Sequence, residues 1–340
     1  MLNNIRPKGY QWISLYLVLF SYSCSTSTPV QSEDLNINIP SQADWVDKGI
    51  ILDAGVTGEW DYYLWGGFAF SVVKKDGTYF LYYQGSSDYR TEFDESVLWR
   101  SIGVATSSDG INFSKYEGNP VLTWFPNQYG EEGAVSSGVT IGEQNETFLF
   151  YGANTQESDI TVNADIRVAS SIDSFNFTDL GVVLDRKDRS VWGSGDEIFV
   201  VDAIYDNGQW IVYYIPNGSL ESGKLGVAYG NKYDDLKKTS IVTSAKNPIS
   251  VWGTAAHVKL NDDTYALVLN NVREQQTEVR LMSLQSPDVL SEPVKTYHFN
   301  DVQQATLLLD EETQTWFMYY RTIDNSYGVK LAPVEFEISR

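Results

Sequence analysis

Cysteine is almost missing from this chain. One residue of 340, Cys24, carries a thiol, so no intramolecular disulfide can form and the fold has to hold by packing alone. Histidine is nearly as scarce, with two residues, and no His and Cys cluster has the spacing of a zinc site. A glycine-rich phosphate loop is absent, as is any convincing amphipathic helix. Basic residues number 24 against 45 acidic ones, for a formal charge of -21. A surface of that sign repels a phosphate backbone and excludes nucleic acid as a partner. The apolar run from Trp12 to Phe20 is too short to span a bilayer as a stable helix, and it follows Arg6 and Lys8, the arrangement of an export signal.

What the chain does have is a repeat. The clearest copy runs from Ser101 to Leu122: Gly103-Val104-Ala105-Thr106 alternates as a buried strand would, Ser108-Asp109-Gly110 turns, and Asn119-Pro120 ends the unit. An aromatic strand recurs five times, at Thr78 to Tyr83, Thr147 to Tyr151, Gln209 to Tyr214, Thr264 to Val268 and Thr315 to Tyr320. Each follows a polar turn such as Asp76-Gly77 or Asn207-Gly208, and ahead of each turn lies another strand: Phe68 to Val73, Val135 to Ile141, Phe199 to Ile204, Ala255 to Leu260 and Gln303 to Leu309. After each aromatic strand comes one like the clearest copy, at Ile102, Ile166, Leu225, Val279 and Val329. Units of roughly 50 to 70 residues with one strand order fit radial repetition about an axis, which predicts an all-β, five-bladed β-propeller. A sandwich would use as many strands without repeating their order. The polar stretches Asp88 to Leu98 and Thr155 to Asn163 read as loops overhanging one face.

At the N-terminus, Ser21-Tyr22-Ser23 precedes Cys24 directly after the apolar run. This resembles a bacterial lipoprotein signal, which implies cleavage after residue 23, lipidation of Cys24 and attachment to the cell envelope, with the outer membrane as the expected address. The lipid is then the only contact with the membrane. Residues 24–43, rich in Ser, Thr, Asn and Pro, read as a tether, and 44–340 as the propeller, expected to be a monomer.

In a propeller the innermost strands surround the axis, and the segments leading into them converge on a funnel. Those segments offer Asp61 and Tyr62 in the first unit, Glu131 and Glu132 in the second, Asp196 and Glu197 with Asp202 further along in the third, His257 in the fourth, and Gln303 and Gln304 in the fifth. Acids from neighbouring units over one funnel are what glycosidic hydrolysis requires: one carboxyl protonates the leaving oxygen and another activates water or attacks carbon. The same acids also suit an ordinary solvated rim.

Trp60-Asp61, Asp76-Gly77-Thr78-Tyr79, the run Ile102 to Gly110 and Asn119-Pro120-Val121-Leu122 together resemble the five-bladed glycoside hydrolases of families 43, 32, 62 and 130 over roughly Asp44 to the C-terminus. The resemblance implies a carbohydrate substrate and catalytic carboxylates, with Glu131 or Glu132 and Asp196 or Glu197 at the places of the second and third acids. The family 43 aspartate sits in an Ala-Asp-Pro motif whose place here is Phe68-Ala69-Phe70, without a carboxylate. Asp61 is therefore the candidate base, Glu197 the candidate acid, and Asp202 an orienting partner.

Two other readings stay open. His257 with a tyrosine such as Tyr62 can abstract a proton α to a uronate carboxylate that Arg100, Arg273 or Arg321 neutralises, making a lyase or dehydratase. Alternatively, Trp60, Trp65 and Trp99 stack sugar rings in a propeller that binds glycans without cleaving them. Val-Trp-Gly at Trp192 and at Trp252 reads as packing. No cofactor is expected; a calcium or sodium ion on the axis is compatible with the abundant oxygens, although nothing in the sequence fixes its ligands.

Overall fold

The computed structural model describes residues 38–64, 70–86, 101–123, 134–154, 164–195, 197–217, 223–236, 238–244, 247–251, 253 and 255–335. Among them the strands form five sheets. In chain order the inner strands are Phe70–Lys75, Ala134–Ile141, Glu197–Asp206, Ala255–Lys259 and Val302–Asp310. Each continues through a turn into an antiparallel second strand, Thr78–Ser86, Thr147–Asn154, Gln209–Asn217, Thr264–Asn271 and Thr315–Thr322, and then a third. These are the repeated elements read from the sequence, with ends that differ by up to three residues.

Each inner strand packs against the next, and the fifth packs against the first, so the inner strands close a ring in an all-β, propeller-like arrangement. The core follows the same geometry. Five apolar clusters each lie between two sheets: Phe80 and Tyr82 against Leu149 and Tyr151, Phe150 against Trp210 and Val212, Tyr213 against Leu267, Val268 against Trp316 and Met318, and Phe317 and Tyr319 against Tyr79 and Leu81. Side chains alternate across a strand, so Tyr79, Leu81 and Tyr83 face one neighbour while Phe80 and Tyr82 face the other. A strand buried on both faces reads as a continuous apolar run, which is why the aromatic strands lack a polar alternation.

The tyrosine in the middle of the second strand also bridges sheets. Tyr82 donates to Ser174 O at 2.9 Å, Tyr213 to Pro287 O at 2.7 Å and Tyr319 to Gly110 O at 3.1 Å, each acceptor belonging to the following sheet. The Asn119 that ends the clearest repeat pairs with both backbone groups of Val104, accepting from its N at 2.8 Å and donating to its O at 2.9 Å. In this way it completes the sheet edge as a further strand would.

The ring is closed by a strand from the other end of the chain. Val46–Leu52 pairs antiparallel with Tyr327–Pro333 as the outermost strand of the fifth sheet. Residues ahead of the expected boundary at Asp44 also pack onto the propeller-like body. Ile39 is buried, Asn38 N donates to Glu335 O at 3.1 Å, and Pro40 O accepts from Tyr297 at 2.7 Å. The last residues assigned to the tether are thus packed onto the body. The expected signal segment, Cys24 and the two overhanging loops lie outside the described residues.

Candidate functional site

Hairpin register separates two ends of the ring. At the turn end, Asp206 pairs with Gln209 and Asp310 with Thr315; at the opposite end, here the mouth, Glu197 pairs with Asn217 and Gln304 with Arg321. Glu197, Gln304 and Arg321 are all buried at the mouth, at 8%, 1% and 7% exposure. Several inner strands carry a β-bulge near this end, between Val135 and Ser137, Val200 and Asp202, and Val302 and Gln304. A bulge adds one residue to a strand and re-aims the side chains beyond it.

The bulge at Val201 precedes Asp202, which meets His257 of the adjacent inner strand. His257 Nδ1 lies 3.1 and 3.0 Å from the two oxygens of Asp202, and Ala203 N donates to Oδ1 at 2.9 Å. When Asp202 is ionised it can only accept, which assigns the hydrogen to Nδ1 and, in a neutral ring, would leave Nε2 as an acceptor. On the other side, Gly138 lets the second inner strand come close to the Asp202 strand, because a Cβ there would stand 2.7 Å from Ala203 N. The pair borders an axial cavity of about 550 Å3 to which all five inner strands contribute, through Ser71, Thr140, Asp202, His257 and Thr306 among others. Toward the turn end it is lined by Lys74, Lys259 and Asp310, held in links between sheets: Lys74 to Asp310 at 2.9 Å and Lys259 to Asp206 at 2.8 Å.

Asp61 is not brought to this pair. Its side chain is buried in the first sheet, where Oδ2 accepts from Tyr83 at 3.1 Å and pairs with Lys115 at 2.7 Å. Gly85 lies so close that a Cβ would stand 2.7 Å from Asp61 Cβ. Trp60, read as a sugar platform, stacks on Tyr83 at 5.6 Å instead. Trp192 packs beside Tyr214, as read, with ring centroids 6.5 Å apart.

Tyr62 is exposed in the turn ahead of Tyr63. The tyrosine near His257 is Tyr265, 6.0 Å away between ring centres. Burial and a 2.7 Å hydrogen bond to Asp206 push the Tyr265 hydroxyl well above its ordinary range, so it keeps its proton. Arg321 is buried within a strand and donates to Gln303, Asn325 and, at 3.5 Å, Leu64 O, whereas Arg273 is exposed in a turn. Glu132, Asp196, Trp65, Trp99 and Arg100 lie outside the described residues. Sequence reasoning missed Lys115, Tyr265 and the axial Lys74 and Lys259. No local signal ties a lysine on an outer strand to an acid more than fifty residues earlier. Among the described residues no group of three or more His, Cys, Asp or Glu side chains is arranged to hold a metal ion.

Compared by sequence, the chain matches no protein-family model and no curated protein. Compared by structure, it is similar to a glycosyl hydrolase from Bacteroides ovatus, with a TM-score of 0.54 and 13% identity over 89% of this chain and 98% of that one. A second similar structure is a family 117 glycoside hydrolase of Zobellia galactanivorans, with TM-score 0.56, 11% identity and coverage of 88% and 93%. A third represents the GH130 family of mannoside phosphorylases, containing glycoside hydrolases that target β-1,2 mannosidic linkages in Candida mannan; its TM-score is 0.54, at 13% identity over 86% and 95%. At these identities the likeness is one of fold, shared across nearly the whole of each chain.

Proposed function

We propose that this protein is a carbohydrate-active enzyme, a five-bladed propeller in which each sheet is one blade, that takes an oligosaccharide at the mouth and hydrolyses a glycosidic bond. The observation that carries this reading is Glu197, a carboxylate about nine-tenths buried as the first residue of an inner strand, at the same end as Gln304 and Arg321. The fold is one that glycoside hydrolases use, but fold alone does not assign an activity. In the step, one carboxyl gives its proton to the glycosidic oxygen as the bond to the anomeric carbon breaks. A second carboxylate takes a proton from the attacking water or bonds to the carbon first. Glu197 is assigned the acid, and Asp196 and Glu132 are the remaining candidates for the second carboxylate. Asp61 is not assigned that role, because its oxygens are enclosed with Lys115 and Tyr83.

The test is mass analysis of products from neutral and uronate-containing oligosaccharides. One water gained per broken bond, with kcat/KM lowered about a thousandfold in Glu197→Gln, is the expected result. No mass change with any of these sugars leaves a binding propeller as the better account.

One observation favours a second reading. Asp202 fixes His257 in the tautomer that a general base needs. In an elimination Nε2 takes the proton α to a uronate carboxylate, the new double bond forms, and the glycosidic oxygen leaves. That reaction needs a cation for the uronate; Arg321 is engaged by Gln303 and Asn325, and Lys74 and Lys259 in the cavity are paired with Asp310 and Asp206, which sets hydrolysis ahead. Unsaturated products abolished by His257→Ala would reverse the order.

Export with a lipid on Cys24 belongs to the same proposal, supported by the leader's charge and apolar pattern. Metabolic labelling with a palmitate analogue is expected to mark the wild-type chain and not Cys24→Ser.

A further inference from the structure

The interface between the third and fourth sheets changes character along its length. Toward the turn end it is apolar, formed by Ile211, Tyr213, Leu267 and Met282 among others. Toward the mouth, the same face of the strand Gln276–Ser283 presents Gln276, Glu278 and Arg280, set side by side by the two-residue period of a strand. Facing them are Asn247 and Ser250 from the segment that joins the two sheets, with Glu292 at one edge, around a cavity of about 290 Å3.

The charged groups of this cleft are fixed. Glu278 accepts from Gln276 Nε2 at 2.8 Å and from Arg280 Nε at 2.9 Å, and Arg280 also donates to Ser291 O at 2.9 Å. Ser244 donates to Glu292 at 2.8 Å. Such a frame is already ordered before anything binds, which removes part of the entropic cost of holding a ligand.

We infer that this cleft is a secondary saccharide site holding one neutral sugar residue, a step that rests on the carbohydrate reading above. Size supports a single ring, since pockets for drug-sized ligands begin near about 300 Å3. Charge decides against an acidic sugar. The lining has two carboxylates and one guanidinium that is already paired, so a uronate or a phosphate meets net negative charge. Hydroxyl groups suit it, because each carboxylate has acceptor positions beyond those its protein partners fill. The cleft also lies on the substrate's side of the molecule. Asn270, on its wall, donates to Ala305 O at 2.8 Å, and Ala305 follows Gln304 at the mouth.

The test uses the full mature chain and single sugars: titration followed by NMR with D-galactose, D-mannose, L-arabinose and D-xylose, and with D-galacturonate for comparison. At least one neutral sugar is expected to bind with a Kd of about 1 mM, D-galacturonate at least about tenfold more weakly, and Glu278→Gln and Asn247→Ala each to weaken the neutral sugar by about tenfold. Asn247→Ala, on an exposed strand, keeps the test decisive if Glu278→Gln does not fold. Absence of neutral-sugar binding, binding indifferent to the variants that fold, or equal affinity for D-galacturonate overturns the site. Product analysis with oligosaccharides is read separately: cleavage without cleft binding removes this inference and leaves the hydrolase, whereas neither binding nor cleavage removes both.

Discussion

Asp61 and Asp202 are both buried aspartates, and their surroundings give them different work. Asp61 is held by a lysine and a tyrosine inside the first sheet, so its charge is matched where it lies. Asp202 is held against a histidine that borders the axial cavity, so its charge orients another group. Removing Lys115 leaves the Asp61 carboxylate in the interior without a cation. Lys115→Met is therefore expected to cost about 2 kcal/mol in urea unfolding, less than for a fully enclosed pair because the lysine is part exposed. The double variant Asp61→Asn, Lys115→Met should recover part of that loss. Turnover of Asp61→Asn, measured where it is folded, should stay within about threefold of wild type, since general acid or base groups contribute about a hundredfold or more. A larger fall would return Asp61 to the catalytic set.

At the scale of elements, the repeat works through its turns as well as its strands. Asp109 accepts from Ile111 N, Asn112 N, Asn112 Nδ2 and Ser107, and Asp173 accepts from Phe175 N, Asn176 N, Asn176 Nδ2 and Ser171. These bonds hold both carboxyls far below their ordinary range and make Ser-x-Asp-x-x-Asn a turn that specifies itself. Between the first and fifth sheets, Asp310 joins Lys74, Tyr79 and Thr313. Burial alone would raise the Asp310 carboxyl, but hydrogen bonds from Tyr79, Lys74 and Thr313 outweigh it and hold the group at about 2, below the ordinary 3.8. A depressed carboxyl stabilises the fold above its unfolded value and loses that contribution as pH falls through the folded one. The midpoint of urea unfolding should fall between pH 4 and about 2, and Asp310→Asn should flatten the fall in that window. An equal pH dependence in wild type and variant would show that other carboxyls govern it.

For the whole molecule the decisive feature is closure. Each sheet has two apolar faces, and a row of such sheets would leave one uncovered at each end; joining the ends into a ring covers both. The strand Val46–Leu52 fastens the ring late in the chain's path, since its partner strand lies at Tyr327–Pro333. Asp47 strengthens that seam by accepting from Tyr320 at 3.0 Å and from Lys330 at 2.5 Å. A chain beginning at Asp53 is expected to melt about 10 °C or more below one beginning at Asn38 by calorimetry. An unchanged melting temperature would mean that the packed faces hold the ring without its clasp.

The sequence by itself determined the repeat, the strand order within it and the all-β class, because a strand buried on both faces must be apolar along its length and a turn must carry residues such as Asp76-Gly77 or Asn207-Gly208. It also set Glu197 just ahead of an inner strand read as starting at Phe199; the structure extends that strand so that Glu197 is its first residue. Tertiary structure decided what each candidate touches. Lys115 reaches Asp61 from an outer strand, His257 finds Asp202 across two inner strands after a bulge, and Arg321 turns inward to Gln303 and Asn325. Such pairings depend on distances between strands far apart in the chain and on one added residue in a ladder. Local pattern carries no trace of either, because periodicity reports which face a residue occupies and not what stands opposite it.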